Sequence, residues 1–163
     1  MTATARKLLA LTSAGATLAL TTATVALATA PSGETPMPLA RGALNAPANV
    51  NVNVNGGSVR IKTQGRLDAL VLEITLAPGG TGGWHSHAGP LISIVKHGTL
   101  TMLDGQCTRH EILAGHAMIS PGGSTEKDEN NGTTPVVFDV TFLIPHGATS
   151  PRIDQPAPAG CTS

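Results

Sequence analysis

The sequence predicts an all-β domain, an antiparallel sandwich or barrel of short strands. Three observations predict it. Apolar residues alternate, or run on briefly, in segments bounded by Gly, Pro, Asn or Asp. No segment beyond residue 30 carries a helical period. The 163 residues include 19 Gly and 12 Pro, the residues that tight connections need.

Residues 1–28 read as a signal peptide. Arg6 and Lys7 form a positive start, Leu8 to Ala28 is uncharged, and Ala26-Leu27-Ala28 is a small-x-small cleavage signal. Ala28-Thr29-Ala30 competes as the site, but Pro31 would then follow the cut directly. An uncleaved anchor is the alternative, and the Thr and Ala content makes it only mildly hydrophobic. Residues 29–48 are Pro- and Ala-rich and predict an irregular lead-in. Asn49 to Asn55 alternates strictly, Gly56-Gly57 turns, and Ser58 to Thr63 alternates again, which predicts a half-buried hairpin. Strands follow at 68–77, 90–96, 99–103, 108–113, 117–120 and 136–144, with a long polar loop over 121–134. Residues 146–163 form a Pro-rich tail.

Formal net charge is +0 and only 12% of residues are charged, so there is no basic field for nucleic acid or anionic lipid. Aromatic residues are 2% and Tyr is absent, which excludes stacking platforms for single strands. Cleavage of the leader leaves no membrane segment and implies a secreted or extracytoplasmic protein. Cys107, in a turn, and Cys161, in the tail, allow one intrachain pairing. In an oxidising compartment that bridge pins the tail to the body, a stabilisation of about 4 kcal/mol in the chain-entropy model.

Chemistry concentrates at Gly79–Pro90, where His85 and His87 stand two apart. In an extended chain both imidazoles project to one face, as neighbouring ligands of one divalent transition metal. The glycine run lacks the Lys-Ser/Thr of a phosphate loop, and Ser86 has no triad partner in sequence.

Gly79, His85, His87 and Gly98 fall on the spacing of the first cupin motif; Gly115, Pro121, Gly123 and Asn130 fall on that of the second. Over about residues 65–145 the chain therefore resembles the cupin superfamily, and in particular small secreted single-domain cupins of the actinobacterial type. The resemblance implies an antiparallel double-stranded β-helix, or jelly-roll barrel, over 49–145. It also implies one metal ion inside it. Two positions depart. Leu91 or Ile92 stands where the first motif has Glu, and Glu126 stands where the second has His. Carried over residue by residue, the ligand set becomes His85, His87 and Glu126, a combination able to hold Fe, Zn, Mn, Ni or Cu.

Glu126 equally reads as part of a solvated loop, Ser124 to Asn131. Glu73 is a second candidate carboxylate, facing either the barrel interior or solvent, and Asp139 poses the same question. Trp84 either packs under the metal-binding turn or lines the pocket mouth. His97, His110, His116 and His146 have no partner at ligand spacing, so surface or hydrogen-bonded roles are expected. Three functions fit: a binding module for a metal and a small molecule, a metal-dependent enzyme of oxygenase, isomerase or lyase type, and a metal-free cupin with a structural or partner-binding role. The Val50–Val54 strand offers an edge for a homodimer.

Overall fold

A computed structural model describes residues 28–161. The predicted leader, apart from Ala28, lies outside the described residues. Among the described residues there is no helix; eleven strands account for the regular structure.

One strand organises the rest. β4 (Leu67–His87) is 21 residues long and belongs to both layers of the barrel. Its first half alternates outward Ala69, Val71, Glu73 and Thr75 with inward Leu70, Leu72, Ile74 and Leu76, the period-two signature of a half-buried strand. This half is flanked by β1 (Ser32–Leu44) and β10 (Val136–Pro145). β5 (Leu91–His97) and β8 (Ala117–Ser120) continue that layer beyond β10. At Ala77–Gly80 the strand crosses to the second layer. There it pairs with β9 (Glu126–Glu129), β9 with β6 (Thr99–Asp104), and β6 with β7 (Arg109–Leu113). β11 (Arg152–Asp154) covers the other side of its last residues. The core between the layers is apolar: Leu70, Leu72, Ile74 and Leu76 meet Phe138, Val140, Phe142 and Ile144, with Val95, Leu100 and Ile112 closing it. The result is the all-β, antiparallel double-stranded β-helix that the sequence predicts.

Four expectations are corrected. The lead-in is not irregular: Ser32–Leu44 is β1 and pairs along β4. Pro36 and Pro38 disguise it, and the chain tolerates them because β1 is an edge strand. The loop 121–134 contains β9, and the tail contains β11. β2 (Asn49–Val54) and β3 (Gly57–Lys62) do form a hairpin, but as a separate two-stranded sheet with all twelve residues exposed.

The Cys107–Cys161 bridge is formed, with Cα atoms 5.5 Å apart. A second tie joins three segments at the opposite end of β4's first half. Buried Asp68 accepts hydrogen bonds from Arg41 Nε at 2.9 Å and Nη2 at 2.6 Å. It also accepts from His146 Nδ1 at 2.7 Å and from the Gly147 amide at 3.2 Å. The His146 and Arg41 bonds hold its carboxyl well below the usual carboxylate range.

Candidate metal centre

The second half of β4 carries the histidines. A bulge between Thr81 and Gly83 re-aims the strand. Gly83 sits at φ 65, where a side chain would run into the Thr29 carbonyl. With that turn made, the Gly83 carbonyl accepts a hydrogen bond from His85 Nδ1 at 2.8 Å. His87 Nδ1 donates to the Pro151 carbonyl at 3.3 Å. Both imidazoles therefore donate from Nδ1 and turn Nε2 inward, the outer hydrogen bonding that orients a metal-ligating histidine. The rings stand edge to face, with centroids 4.7 Å apart.

Glu126 opens β9 directly across from His85 in the β4–β9 ladder. Its Oε1 lies 3.0 Å from His87 Nε2, and its Oε2 accepts from Ser120 Oγ at 2.8 Å. One ligand atom from each of His85, His87 and Glu126 lies within 4.8 Å of the other two, and all three residues are buried. Phe142 packs against His87 from the core, with ring centroids 5.2 Å apart.

The protonation states suit a cation. Burial, with the Arg152 charge adding to it, pushes the His85 imidazole down to about 4, so it is neutral at pH 7. Burial raises the Glu126 carboxyl, but its bonds to His87 and Ser120 outweigh this and leave it lowered, hence ionised. Two imidazoles and a carboxylate are a donor set for borderline divalent metals.

A cavity of about 170 Å³ adjoins the three residues. Leu72, Ile74, Leu91, Phe138, Val140 and Phe142 form its apolar wall. Of the two residues at the motif-Glu position, Leu91 lines this wall and Ile92 is exposed. Glu34, Asp128 and Arg152 form a polar wall. Arg152 Nε bonds Asp154 Oδ1 at 2.6 Å, its Nη2 bonds the Gly82 carbonyl, and its Nη1 is 3.8 Å from Glu34 Oε2. Burial raises the Glu34 carboxyl against the pull of Arg152. Asp128 keeps some surface open to the cavity, yet burial, reinforced by the charges of Glu126 and Glu34, pushes it up to about 8.

Two candidates fall outside the cavity. Glu73 faces outward, opposite Asp139 on β10. Lys96 bridges the two, bonding Glu73 and lying 3.1 Å from Asp139. Trp84, one residue from His85, points to the other side of β4 and is fully buried. Lys127 Nζ stands 5.6 Å over its ring, and its backbone amide donates to Thr29 Oγ1 at 2.6 Å. It packs the strand from behind and lines no ligand wall.

Glu34, Asp128 and Arg152 are not among the residues the sequence singles out. Alternation within Glu126-Lys127-Asp128-Glu129 is the one signal that finds Asp128, since i and i+2 share a face. Glu34 lies in a Pro-interrupted segment and Arg152 in the tail, where no periodic pattern marks a strand.

No family model matches the chain, and no curated protein matches it. Solved structures similar to it include a cupin domain from Bordetella pertussis Tohama I, 19% identical over 71% of this chain and 96% of that one, with a TM-score of 0.47. A double-stranded β-helix protein from Klebsiella pneumoniae is 19% identical over 68% of this chain and 84% of that one, at 0.46. An oxalate oxidase in complex with glycolate is 22% identical over 52% of this chain and 45% of that one, at 0.43. At such identities and scores no activity is carried across. By its own strand order and inward triad this chain is an antiparallel β-barrel with residues able to hold a metal.

Proposed function

We propose that this is an exported single-domain barrel that binds one divalent transition metal through His85, His87 and Glu126, and a small molecule in the adjoining cavity. The convergence of three buried ligand atoms within 4.8 Å carries the reading. Their outer hydrogen bonds leave the inward nitrogens and the carboxylate oxygen facing one point, where a divalent cation would engage all three at once. A bound metal of this type supplies Lewis-acid polarisation or an activated water. The cavity beside the three ligands favours a second reading, a metal-dependent enzyme of oxygenase, isomerase or lyase type, in which the small molecule is turned over rather than stored.

Export is supported by the disulfide and by the leader pattern. Among the described residues no helix is long and apolar enough to cross a membrane. Cleavage after Ala28 keeps Thr29, whose hydroxyl accepts the Trp84 amide; cleavage after Ala30 discards it. The intact mass of secreted protein distinguishes the two, and the shorter product would remove the support from the Ala28 site.

Elemental analysis of untagged, chelator-free protein tests the metal. Near-stoichiometric metal that is lost in His85→Ala and His87→Ala and weakened in Glu126→Ala supports the assignment. Absence of metal after incubation with Fe(II), Zn, Mn, Ni and Cu refutes it and leaves a metal-free barrel. Metal retained in full by Glu126→Ala removes that carboxylate from the set.

A further inference from the structure

We propose that the cavity takes a small organic cation, an apolar body bearing an ammonium group, with the positive charge held between Glu34 and Asp128. The inference rests on the reading of this cavity as a ligand site and adds the class of ligand.

Besides Glu126, two carboxyl groups line the cavity, those of Glu34 and Asp128, and no side-chain hydrogen bond among the described residues reaches either. Glu34 Oε2 is fully buried without a hydrogen-bond donor. Asp128 is hydrogen-bonded through its backbone carbonyl, which accepts from Thr81 Oγ1 at 2.8 Å, and not through its side chain. The nearby cation is already engaged, since Arg152 bonds Asp154 and the Gly82 carbonyl and stands 3.8 Å from Glu34. A buried carboxyl group without a hydrogen-bond donor is costly in its charged form, and a cation seated against it stabilises that form in a medium that screens poorly. Apart from the three metal-site residues and Arg152, Ser93 and Ser150, the rest of the lining is apolar, chiefly Leu72, Ile74, Phe138, Val140 and Phe142.

Size limits the body. The cavity is about 170 Å³, and an apolar cavity of about 150 Å³ accepts benzene. The acidic wall and the histidines meet across Gly82. A Cβ there would lie 3.3 Å from Glu34 Oε2, 3.4 Å from His85 Cε1 and 3.6 Å from Arg152 Nη1. A ligand of phenyl size that contacts Glu34 is therefore also beside the metal-binding end.

Benzylamine, benzyl alcohol and benzoate share one ring and differ in charge, so calorimetric titration of the purified protein with each, with and without one equivalent of Zn(II), tests the proposal. Benzylammonium is expected to bind on the order of tenfold tighter than benzyl alcohol in both states. Glu34→Gln and Asp128→Asn should each erase most of that margin while leaving benzyl alcohol unchanged. Glu34→Asp, which keeps the charge, should retain part of it and also shows that the site still folds. Equal binding of amine and alcohol, tightest binding of benzoate, no binding of any probe, or an unchanged margin in both Glu34→Gln and Asp128→Asn would each overturn it. Zinc binding without an amine margin refutes this inference alone; an amine margin without zinc binding refutes the metal assignment alone.

Discussion

Cutting the Cys107–Cys161 bridge should weaken both the fold and the site. The bridge spans 54 residues of sequence, and closing a loop of that length in the unfolded chain corresponds to about 4 kcal/mol. For a domain of this size that is a fall in Tm of roughly 15 °C. The bridge fastens the segment that runs over the metal centre. Pro151 fixes the His87 proton through its carbonyl, and Arg152–Asp154 pairs along His85–His87. Freed at Cys161, this segment keeps its three ladder residues, the Ala88–Pro151, Arg152–Gly82, Gln155–Trp84 and Gln155–Ser86 hydrogen bonds and the Ala28–Pro156 bridge, but loses its one covalent tie. Metal affinity should then drop about 10-fold or more, as is usual when the partner of a ligating histidine is lost. A Cys107→Ser/Cys161→Ser variant, followed by thermal unfolding and zinc competition with a fluorescent chelator, measures both. A Tm within about 3 °C of wild type would refute the entropic argument. An unchanged zinc affinity would refute the claim that the tail positions His87.

Phe142→Ala removes a buried ring from the core and from the side of His87, and should cost about 3–5 kcal/mol in urea unfolding together with some metal affinity. Glu73→Gln should leave metal content untouched and move Tm by no more than about 2 °C, because the Lys96 trio is at the surface; loss of metal would return Glu73 to the site. Asp68 has its pKa held down in the folded state, so its contribution is complete above its ordinary value of 3.8 and is lost as pH falls further. Wild-type Tm should therefore decline below about pH 4, and Asp68→Asn should start lower and lack that decline; parallel curves would refute it. Gly83→Ala forces a side chain into the Thr29 carbonyl at positive φ and should lower both Tm and metal content; wild-type behaviour would show that the N-terminal segment does not seat there.

The parts of the fold that announce themselves in the sequence are those whose side chains alternate against a core. Leu70 to Leu76 and Val136 to Ile144 do so plainly, and the HxH spacing places both imidazoles on one face whatever the neighbours are. What stays hidden has a common cause. β1, β9 and β11 are short, interrupted or polar strands whose pairing is decided by β4 and not by their own composition. Pro36 and Pro38 mask one, the charges of Glu126–Glu129 another, and Pro151 and Pro156 flank the third. The outward aspect of Glu73 depends on which side of β4 meets the core. Two-residue periodicity gives that answer only once Leu72 and Ile74 are known to be inside. The hairpin errs the other way: a flawless alternation over Asn49–Asn55 coexists with full exposure, because a pattern prepares a face for burial without supplying anything to cover it.

β4 also sets a timetable. Its partners come from both ends of the chain, β1 before it and β9, β10 and β11 far after, so the histidines cannot meet Glu126 and Pro151 until nearly the whole sequence has been made available. A chain that crosses a membrane unfolded would arrive with no assembled site and no ion in it. The metal such a barrel holds would then be drawn from its destination, and the composition of that outer medium, more than intrinsic preference, would decide which ion occupies the centre.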